Sequence, residues 1–366
     1  METRMYASRV EQRLAELVAF DTRNPGGDER ALAEYLAAEL RALGASQAEV
    51  IPAPGHFSTY ARFGASPPAL MLNAHLDTVP ANASTTSDPL VLVRRDRRLH
   101  GLGCADTKGA IAAILEALAH KQAAGQAPEN VAVFFSGDEE LGGACMREFL
   151  VSERRRGLAR AVVCEPTGCH VGVRHRGVHA ARVGATAAGG HSSLADRVPN
   201  PLLALARAAV ALDDLGQRLQ DLGPAGLRGL CMNIAALDGG MAFNIIPAAA
   251  FLTFSLRPPP GVDLEGILAQ SREVVAAATA PLSTQWSMVA TNPAFATRDR
   301  AGFAPLFGER ATADLPFGTE AGQFVEAGID AVVFGPGRVE QAHKANEYVD
   351  LDDLEEAVAV FRRILG

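Results

Sequence analysis

Short runs of apolar residues alternate along this chain with longer segments in which apolar residues recur at helical spacing. Four runs, at residues 69–74, 131–135, 161–164 and 331–334, are apolar nearly throughout and too short for helices. They predict strands buried on both faces, as the strands of a parallel sheet are. Segments of helical spacing, such as residues 107–124, lie between them. The alternation predicts an α/β fold with helices packed on a sheet.

The sequence shows both ends of one helix and the amphipathic pattern of a second. Asp28 is placed to cap a helix and Gly44 to end it, and residues 351–365 form a second amphipathic pattern at the end of the chain. The leucines on the apolar face of the first helix are Leu32, Leu36, Leu40 and Leu43. These helices extend the α/β pattern to both ends of the sequence.

Residues 173–290 follow a different pattern. Strand candidates at 178–187, 230–237, 248–256 and 284–290 are interleaved with two helices, the first of which has Asn200 as its cap and Pro201 in its first turn. The order β-α-β-β-α-β is typical of a ferredoxin-like α+β domain. We therefore expect a discontinuous domain of residues 1–172 and 291–366, into which a second domain of residues 173–290 is inserted.

Charge and cysteine content narrow the possible functions. The chain has 366 residues and a formal net charge of -8, which argues against nucleic acid or an anionic membrane as partner because both attract basic surfaces. Five cysteines are an odd number in a chain too long to need disulfides, which favours a reducing compartment. The first twenty residues interleave charges with apolar positions, unlike a signal peptide. We expect a cytoplasmic protein.

Polar residues of metal-ligand type follow each of the four apolar runs. The carboxyl ends of parallel strands meet at one edge of an open α/β sheet, where ligands bind. A glycine-rich turn from Gly101 to Gly109 contributes one more carboxylate. The residues concerned are His75, Asp77, Asp106, Glu139, Glu140, Glu165 and His343. We expect them to lie close together.

The glycine-rich turn does not fit a nucleotide site. A dinucleotide fingerprint needs a glycine at its sixth position, where Asp106 stands and would repel a pyrophosphate. A phosphate-binding loop needs Lys before Ser or Thr, whereas Lys108 precedes Gly109. The turn is therefore better explained by its carboxylate than by its glycines.

Carboxylates and imidazoles together select Zn, Co or Mn rather than a metal bound through sulfur. Two histidines and three or four carboxylates are too many ligands for one catalytic zinc, which keeps three protein ligands. They suit two ions about 3.5–4 Å apart that share a water. One carboxylate must then bridge the ions and another must stay free to move protons. Adjacent Glu139 and Glu140 can divide such tasks, because neighbouring side chains at a strand end point apart.

These residues resemble the motifs of the M20 metallopeptidase and deacylase family. The resemblance spans almost 300 residues in the right order. It includes the sequence from Ala74 to Asp77, the turn from Gly101 to Gly109, Gly137-Asp138-Glu139-Glu140, Glu165-Pro166, Gly190-His191-Ser192-Ser193, Asn244-Ile245-Ile246-Pro247 and the segment from Gln341 to Tyr348. The family has a mixed-sheet catalytic domain of the zinc-hydrolase type and an inserted ferredoxin-like lid that also dimerises.

The resemblance implies a role for each residue. His75, Asp106 and Glu165 would hold one ion of Zn or Co, and Asp106, Glu140 and His343 the second, with Asp106 bridging. Glu139 resembles the general base, and Asp77 the carboxylate that orients His75. His191 would steady the oxyanion in the site of a partner subunit. The substrate-binding residues implied are Asn244, Arg257, Thr319 and Glu320.

The resemblance also implies the reaction and the partners. The substrate would be a small N-α-acetyl amino acid, with N-acetylcitrulline first and N-acetylornithine second, in arginine biosynthesis, and the enzyme would be a homodimer. Glu320 suits the ammonium of ornithine or the ureido group of citrulline, so it does not decide between them. A dipeptidase or aminoacylase is an alternative with the same chemistry. A non-catalytic binding relative would lack a ligand or the base, yet the complete set is present.

Overall fold

The computed structural model describes residues 8–366, and these residues form two compact units. The first unit comprises residues up to Arg174, residues 296–315 and residues 319–366. The second comprises residues 175–295 and 316–318. Across the described residues, none of the helices is both long and apolar enough to cross a bilayer.

The helices and strands are numbered in chain order. The α-helices are α1 (Arg9–Val18), α2 (Arg30–Ala42), α3 (Lys108–Ala123), α4 (Ala144–Val151), α5 (Pro201–Arg218), α6 (Leu264–Thr279), α7 (Arg300–Phe307), α8 (Ala321–Glu326) and α9 (Leu351–Ile364). The strands are β1 (Gln47–Ala53), β2 (His56–Phe63), β3 (Leu70–His75), β4 (Val93–Arg95), β5 (Arg98–His100), β6 (Val131–Ser136), β7 (Arg160–Val163), β8 (Val171–His175), β9 (Val178–Thr186), β10 (Gly190–His191), β11 (Met232–Gly239), β12 (Ile245–Ile246), β13 (Ala249–Leu256), β14 (Thr284–Asn292), β15 (Phe295–Ala296), β16 (Thr312–Leu315), β17 (Asp330–Val333) and β18 (Tyr348–Asp350).

Nine strands form one mixed sheet in the order β1-β2-β6-β3-β7-β17-β8-β15, with β16 paired to β8. The neighbours β6, β3, β7 and β17 run parallel to one another, whereas β2 joins β6 antiparallel. These four strands are the four apolar runs of the sequence. Every residue of β3 and β6 is buried, which explains the absence of polar alternation. The predicted α/β fold class is confirmed.

Helix α3 is buried over its first eleven residues, from Lys108 to Leu118. Its start needs a residue without a side chain, because a Cβ at Gly109 would lie 2.4 Å from the carbonyl oxygen of Cys104. The glycine-rich turn therefore lets the helix pack directly against the loop that carries Asp106. At α2, the N-cap residue is Glu29 rather than Asp28, although the Asp28 carboxylate accepts a hydrogen bond of 2.8 Å from the Arg30 N–H.

The second unit has an antiparallel sheet in the order β11-β13-β9-β14, with α5 and α6 in its sequence. The chain order β9-α5-β11-β13-α6-β14 is the β-α-β-β-α-β order of a ferredoxin-like fold. The Asn200 Oδ1 accepts hydrogen bonds from the N–H groups of Leu202 and Leu203 and caps α5 as expected. The core of this unit includes Leu205, Leu252 and Phe254.

Candidate metal centre

The four parallel strands deliver the candidate ligands to one edge of the sheet. His75 is the last residue of β3, and Glu139 and Glu140 form a short turn of 3-10 helix after β6. Glu165 follows β7, and His343 lies in the loop after β17. Because adjacent parallel strands end at the same edge, residues far apart in the sequence come together there.

Asp106 lies between the two imidazoles. Its Oδ1 is 2.9 Å from His75 Nε2 and its Oδ2 is 3.3 Å from His343 Nε2. Each carboxylate oxygen thus faces a different histidine. Ligand atoms of His75, Asp106 and Glu140 lie within 4.8 Å of one another. This is the arrangement that a carboxylate bridging two ions requires.

Glu140 and His343 complete the other side of the cluster. The Glu140 Oε1 is 2.8 Å from His343 Nε2. His343 has a φ of +58°, which is uncommon for a residue with a side chain. Backbone strain of this kind is concentrated at functional sites.

The neighbouring carboxylates raise the pKa of both imidazoles. Burial alone would lower the pKa of His75, but hydrogen bonds with Asp106 and Asp77 raise it well above its usual range. Asp106 and Glu140 raise the pKa of His343 to about 10. Burial would raise the pKa of Asp106, yet the two histidines together lower it. Because a metal ion binds the neutral imidazole, these carboxylates make protons competitors of the metal at both histidines.

Asp77 connects His75 to the turn that contains Glu139 and Glu140. It is fully buried, and its backbone oxygen and Oδ1 lie 2.8 and 3.4 Å from His75 Nδ1. Its carboxylate also accepts hydrogen bonds of 3.2 and 3.1 Å from the N–H groups of Glu139 and Glu140. A single carboxylate thus touches the segments after two different strands.

Glu139 and Glu165 are acids in a poorly solvated site. Burial raises the pKa of both well above the usual range, and neighbouring carboxylates add to the effect. His75 acts in the opposite direction on both groups. Buried acids of this kind are suited to accepting and returning protons, or to binding a cation that stabilises their charge.

Glu347 positions the loop that carries Asp106, a role that the sequence did not predict. Its carboxylate accepts hydrogen bonds from three backbone N–H groups, at 3.0 Å from Gly103, 2.8 Å from Ala105 and 3.2 Å from Asp106. Burial raises the pKa of Glu347 to about 7. Glu347 belongs to the motif from Gln341 to Tyr348. The sequence showed this motif, but it did not show where the Glu347 carboxylate points.

Thr319 and Glu320 lie in the first unit and are buried. The Thr319 Oγ1 accepts a hydrogen bond of 3.1 Å from the N–H of Ala321, at the start of α8. The Glu320 Oε2 accepts hydrogen bonds of 3.0 Å from Asn73 and 2.7 Å from Ser136, which tie it to β3 and β6. Burial raises the pKa of Glu320 to about 7. The predicted substrate contacts of these two residues stay predictions.

His191, Asn244 and Arg257 belong to the second unit. The β10–β12 ladder brings His191 beside Ile245, and the Ser192 N–H donates a 3.0 Å hydrogen bond to the Asn244 carbonyl. The His191 Nδ1 accepts from the N–H of Ser193 at 3.2 Å. His191 and Arg257 are exposed, so both side chains can meet a ligand.

The residues present fit two divalent ions. Two imidazoles and four carboxylates, those of Asp106, Glu139, Glu140 and Glu165, leave a surplus of negative charge at the strand ends. Charges in such a setting are costly unless they are paired or coordinate a metal. The oxygen and nitrogen donors match Zn or Co, and the two faces of Asp106 match a bridging ligand.

Known proteins are similar to this chain in sequence. The chain matches the peptidase family M20/M25/M40 over residues 71–366. It is 35% identical over 387 aligned residues to N-acetyl-L-citrulline deacetylase of Xanthomonas campestris pv. campestris, covering 100% of this chain and 99% of the relative. It is 32% identical to acetylornithine deacetylase of Myxococcus xanthus, covering 83% and 81% of the two chains.

A solved structure extends the likeness to the fold. A dinuclear metal-binding peptidase of the M20 family from Bacillus subtilis has a TM-score of 0.72 and 15% sequence identity, covering 98% of this chain and 96% of that one. The fold is therefore retained where the sequence has diverged far. On these matches, the chain belongs to the M20/M25/M40 family of peptidases and is a metallohydrolase of that family.

Proposed function

We propose that this enzyme hydrolyses the acetamide of an N-α-acetyl amino acid, with N-acetylcitrulline as its substrate and N-acetylornithine as the alternative. The observation that carries the proposal is the convergence of His75, Glu140 and His343 around Asp106. The substrate class is supported by the two deacetylases that resemble this chain over most of their length. The reaction would release acetate and a free amino acid in arginine biosynthesis.

The metal centre would hold two ions of Zn or Co. His75, Asp106 and Glu165 would bind one, and Asp106, Glu140 and His343 the other. When bound, such ions lower the pKa of a shared water and polarise the amide carbonyl. The geometry of the cluster supports this division, because the two Asp106 oxygens face different histidines.

Glu139 would be the general base and then the general acid. Its turn follows β6 directly, and Asp77 holds the backbone of that turn. Its raised pKa suits a carboxyl that takes a proton from water and returns it to the departing amine nitrogen. The bond formed is carbon to oxygen at the acetyl carbon, and the bond broken is carbon to nitrogen.

The second unit would supply groups that hold the substrate. His191 would donate a hydrogen bond to the oxyanion, because the hydrogen bond that its Nδ1 accepts from Ser193 leaves Nε2 as the protonated nitrogen. Arg257 and Asn244 would bind the substrate carboxylate. Thr319 and Glu320, which belong to the first unit, would also bind the substrate. We infer these roles from the family resemblance.

A substrate panel tests the proposed function. We expect N-acetylcitrulline to give the highest kcat/KM, followed by N-acetylornithine, with N-acetylmethionine and a dipeptide far lower. A site built to hydrogen-bond a polar side chain discriminates strongly against analogues that lack it. Initial rates would be measured with added Zn or Co and with a chelator.

The chelator arm is the control for that panel. Activity that survives removal of the metal, or a dipeptide preferred over both acetylated amino acids, would contradict the proposal. A preference for N-acetylornithine would support the alternative substrate and leave the deacetylase assignment intact.

The free cysteines support a cytoplasmic location. All five cysteines lie within the described residues and are free, and Cys231 is the exposed one. Burial raises the pKa of Cys104 and of Cys164 well above the usual range, so both thiols stay protonated and unreactive. A chain that keeps every thiol unpaired is suited to a reducing compartment.

We also propose that the enzyme is a homodimer formed through the second unit. Large apolar side chains that are exposed in the described residues lie mostly there, and several of them are neighbours in the sequence between Leu237 and Ile245. Exposed apolar surface that is contiguous marks interaction sites. Those of the second unit are Leu194, Leu203, Val210, Leu237, Met241, Phe243, Ile245, Phe251, Met288 and Val289. A second copy of the chain would cover such a surface.

Replacing His191 with Ala tests whether the sites are shared between subunits. We expect kcat to fall about 10²–10³-fold, as for other oxyanion donors. Co-expressed H191A and E139Q chains with different tags allow the mixed dimer to be purified. If His191 acts on the partner's site, one site of the mixed dimer is complete, and about half of the wild-type activity returns.

The two parent dimers are the controls for this experiment. Each should be nearly inactive alone. A mixed dimer that is no more active than the H191A parent would show that His191 serves its own chain, or no site at all.

A further inference from the structure

A short segment near the start of the chain runs beside the turn that carries His75 and Asp77. The Asn24 N–H donates a 2.7 Å hydrogen bond to the Thr78 carbonyl, and the Thr78 N–H donates one of 2.9 Å to the Thr22 carbonyl. The Thr22 Oγ1 donates to the Leu76 carbonyl at 2.7 Å. Thr22 is fully buried. The segment is therefore fastened to both sides of Asp77.

The Asn24 side chain reaches three acceptors from different parts of the chain. Its Nδ2 lies 3.0 Å from Asp77 Oδ2, 2.9 Å from Glu29 Oε1 and 3.3 Å from the Gly137 carbonyl oxygen. Asn24 is only 7% exposed, so water does not easily replace it. Gly137 precedes the turn that contains Glu139. One amide group thus joins the segments that follow β3 and β6.

The same amide separates two buried carboxylates. Asp77 and Glu29 are 0% and 2% exposed, and both accept a hydrogen bond from the Asn24 nitrogen. His56 Nδ1 lies 3.3 Å from the same Glu29 oxygen, Oε1. Without the amide, Asp77 Oδ2 would keep only the Glu140 N–H as a close donor and would face a like charge. The carboxylate would then be oriented only by the N–H groups of Glu139 and Glu140 and by the His75 ring.

We propose that Asn24 is a positioning residue of the metal centre, which orients the Asp77 carboxylate and through it both the His75 ring and the Glu139-Glu140 turn. The inference rests on the proposed function, since it assumes that His75 and Glu140 hold metal. Groups that orient metal ligands are worth about 10–100-fold in metal affinity or activity. Asn24 orients two ligand-bearing segments at once.

Metal titration of the full-length N24A protein tests this role. We expect the Zn dissociation constant, measured by competition with a chromophoric chelator, to rise about tenfold or more. We expect kcat to fall while KM stays within about twofold, because Asn24 does not touch the substrate. N24S, which keeps one donor, should lie between N24A and the wild type, and it remains testable if N24A does not fold.

The matched control is N200A, which removes an asparagine that caps α5 in the second unit. It should lower Tm and leave the Zn dissociation constant unchanged, as a merely structural asparagine would. Folded N24A and N24S that bind Zn and turn over like the wild type would overturn the role of Asn24. Titration of the wild-type protein with Zn distinguishes a wrong role for Asn24 from a wrong assignment of the metal centre. If the metal centre is wrongly assigned, the wild-type protein itself binds no Zn.

Discussion

Replacing Glu139 with Gln is expected to lower kcat by about 10³–10⁴-fold, at the upper end of what a general base and acid contributes. The amide of Gln has the size of the carboxylate but cannot take a proton from water. Neither imidazole depends on Glu139, because the contacts of His75 are with Asp77 and Asp106 and those of His343 are with Asp106 and Glu140. Two equivalents of metal should therefore still bind.

The neighbouring variant E140Q is the matched control. It has the same change in charge and shape one residue later, but Glu140 contacts His343 at 2.8 Å and should be a ligand. Metal content by mass spectrometry should therefore stay at two ions per chain in E139Q and fall in E140Q. An E139Q protein that keeps more than about a tenth of the wild-type kcat would contradict the assignment of the base, which is expected to supply at least a hundredfold.

The central part of the sheet could be predicted because its strands are buried on both faces. The four central strands are apolar over most of their length and are followed closely by polar residues; they are β3, β6, β7 and β17. The sequence therefore showed where each strand lies and which of its ends carries the polar residues. Parallel pairing then brings the polar ends to one edge without further information. Most of the candidate ligands follow from that argument.

The edge of the sheet was harder to predict. Strands β1 and β2 form an antiparallel hairpin whose residues alternate irregularly in burial, and Pro52 lies inside β1. A proline within an apolar run argues against a strand, although an edge strand can hold one. Here β1 is the edge of the sheet, so its proline costs no hydrogen bond to a further neighbour.

The contacts of buried polar side chains around the site were not predictable from spacing. Asn24, Glu320 and Glu347 are polar residues whose roles depend on the direction in which a buried side chain points. Glu320 is predicted to bind the substrate, and the hydrogen bonds that its Oε2 accepts from Asn73 and Ser136 have no signal in the sequence. Hydrogen bonds over 244 residues of separation, such as that between Gly103 and Glu347, have no local signal in the sequence.

Replacing Asp106 with Asn should remove both metal ions at working concentrations and lower activity by about 10³–10⁴-fold, since metal ions supply several kcal/mol of stabilisation and each 1.36 kcal/mol is tenfold in rate. The reason lies in the two oxygens, at 2.9 Å from His75 Nε2 and 3.3 Å from His343 Nε2. The amide of Asn has one acceptor oxygen. Its NH₂ group cannot bind a cation.

Isothermal titration of the metal-free D106N protein with Zn is the measurement, and D299N is its control. Asp299 caps α7 through a 2.9 Å hydrogen bond from the Gly302 N–H, and Asn caps helices about as well as Asp, so D299N should bind two ions like the wild type. If Asp106 held only one ion, D106N would lose one equivalent and keep the other at wild-type affinity. Loss of both therefore distinguishes a carboxylate shared by two cations from an ordinary ligand, because only a shared group couples the two sites.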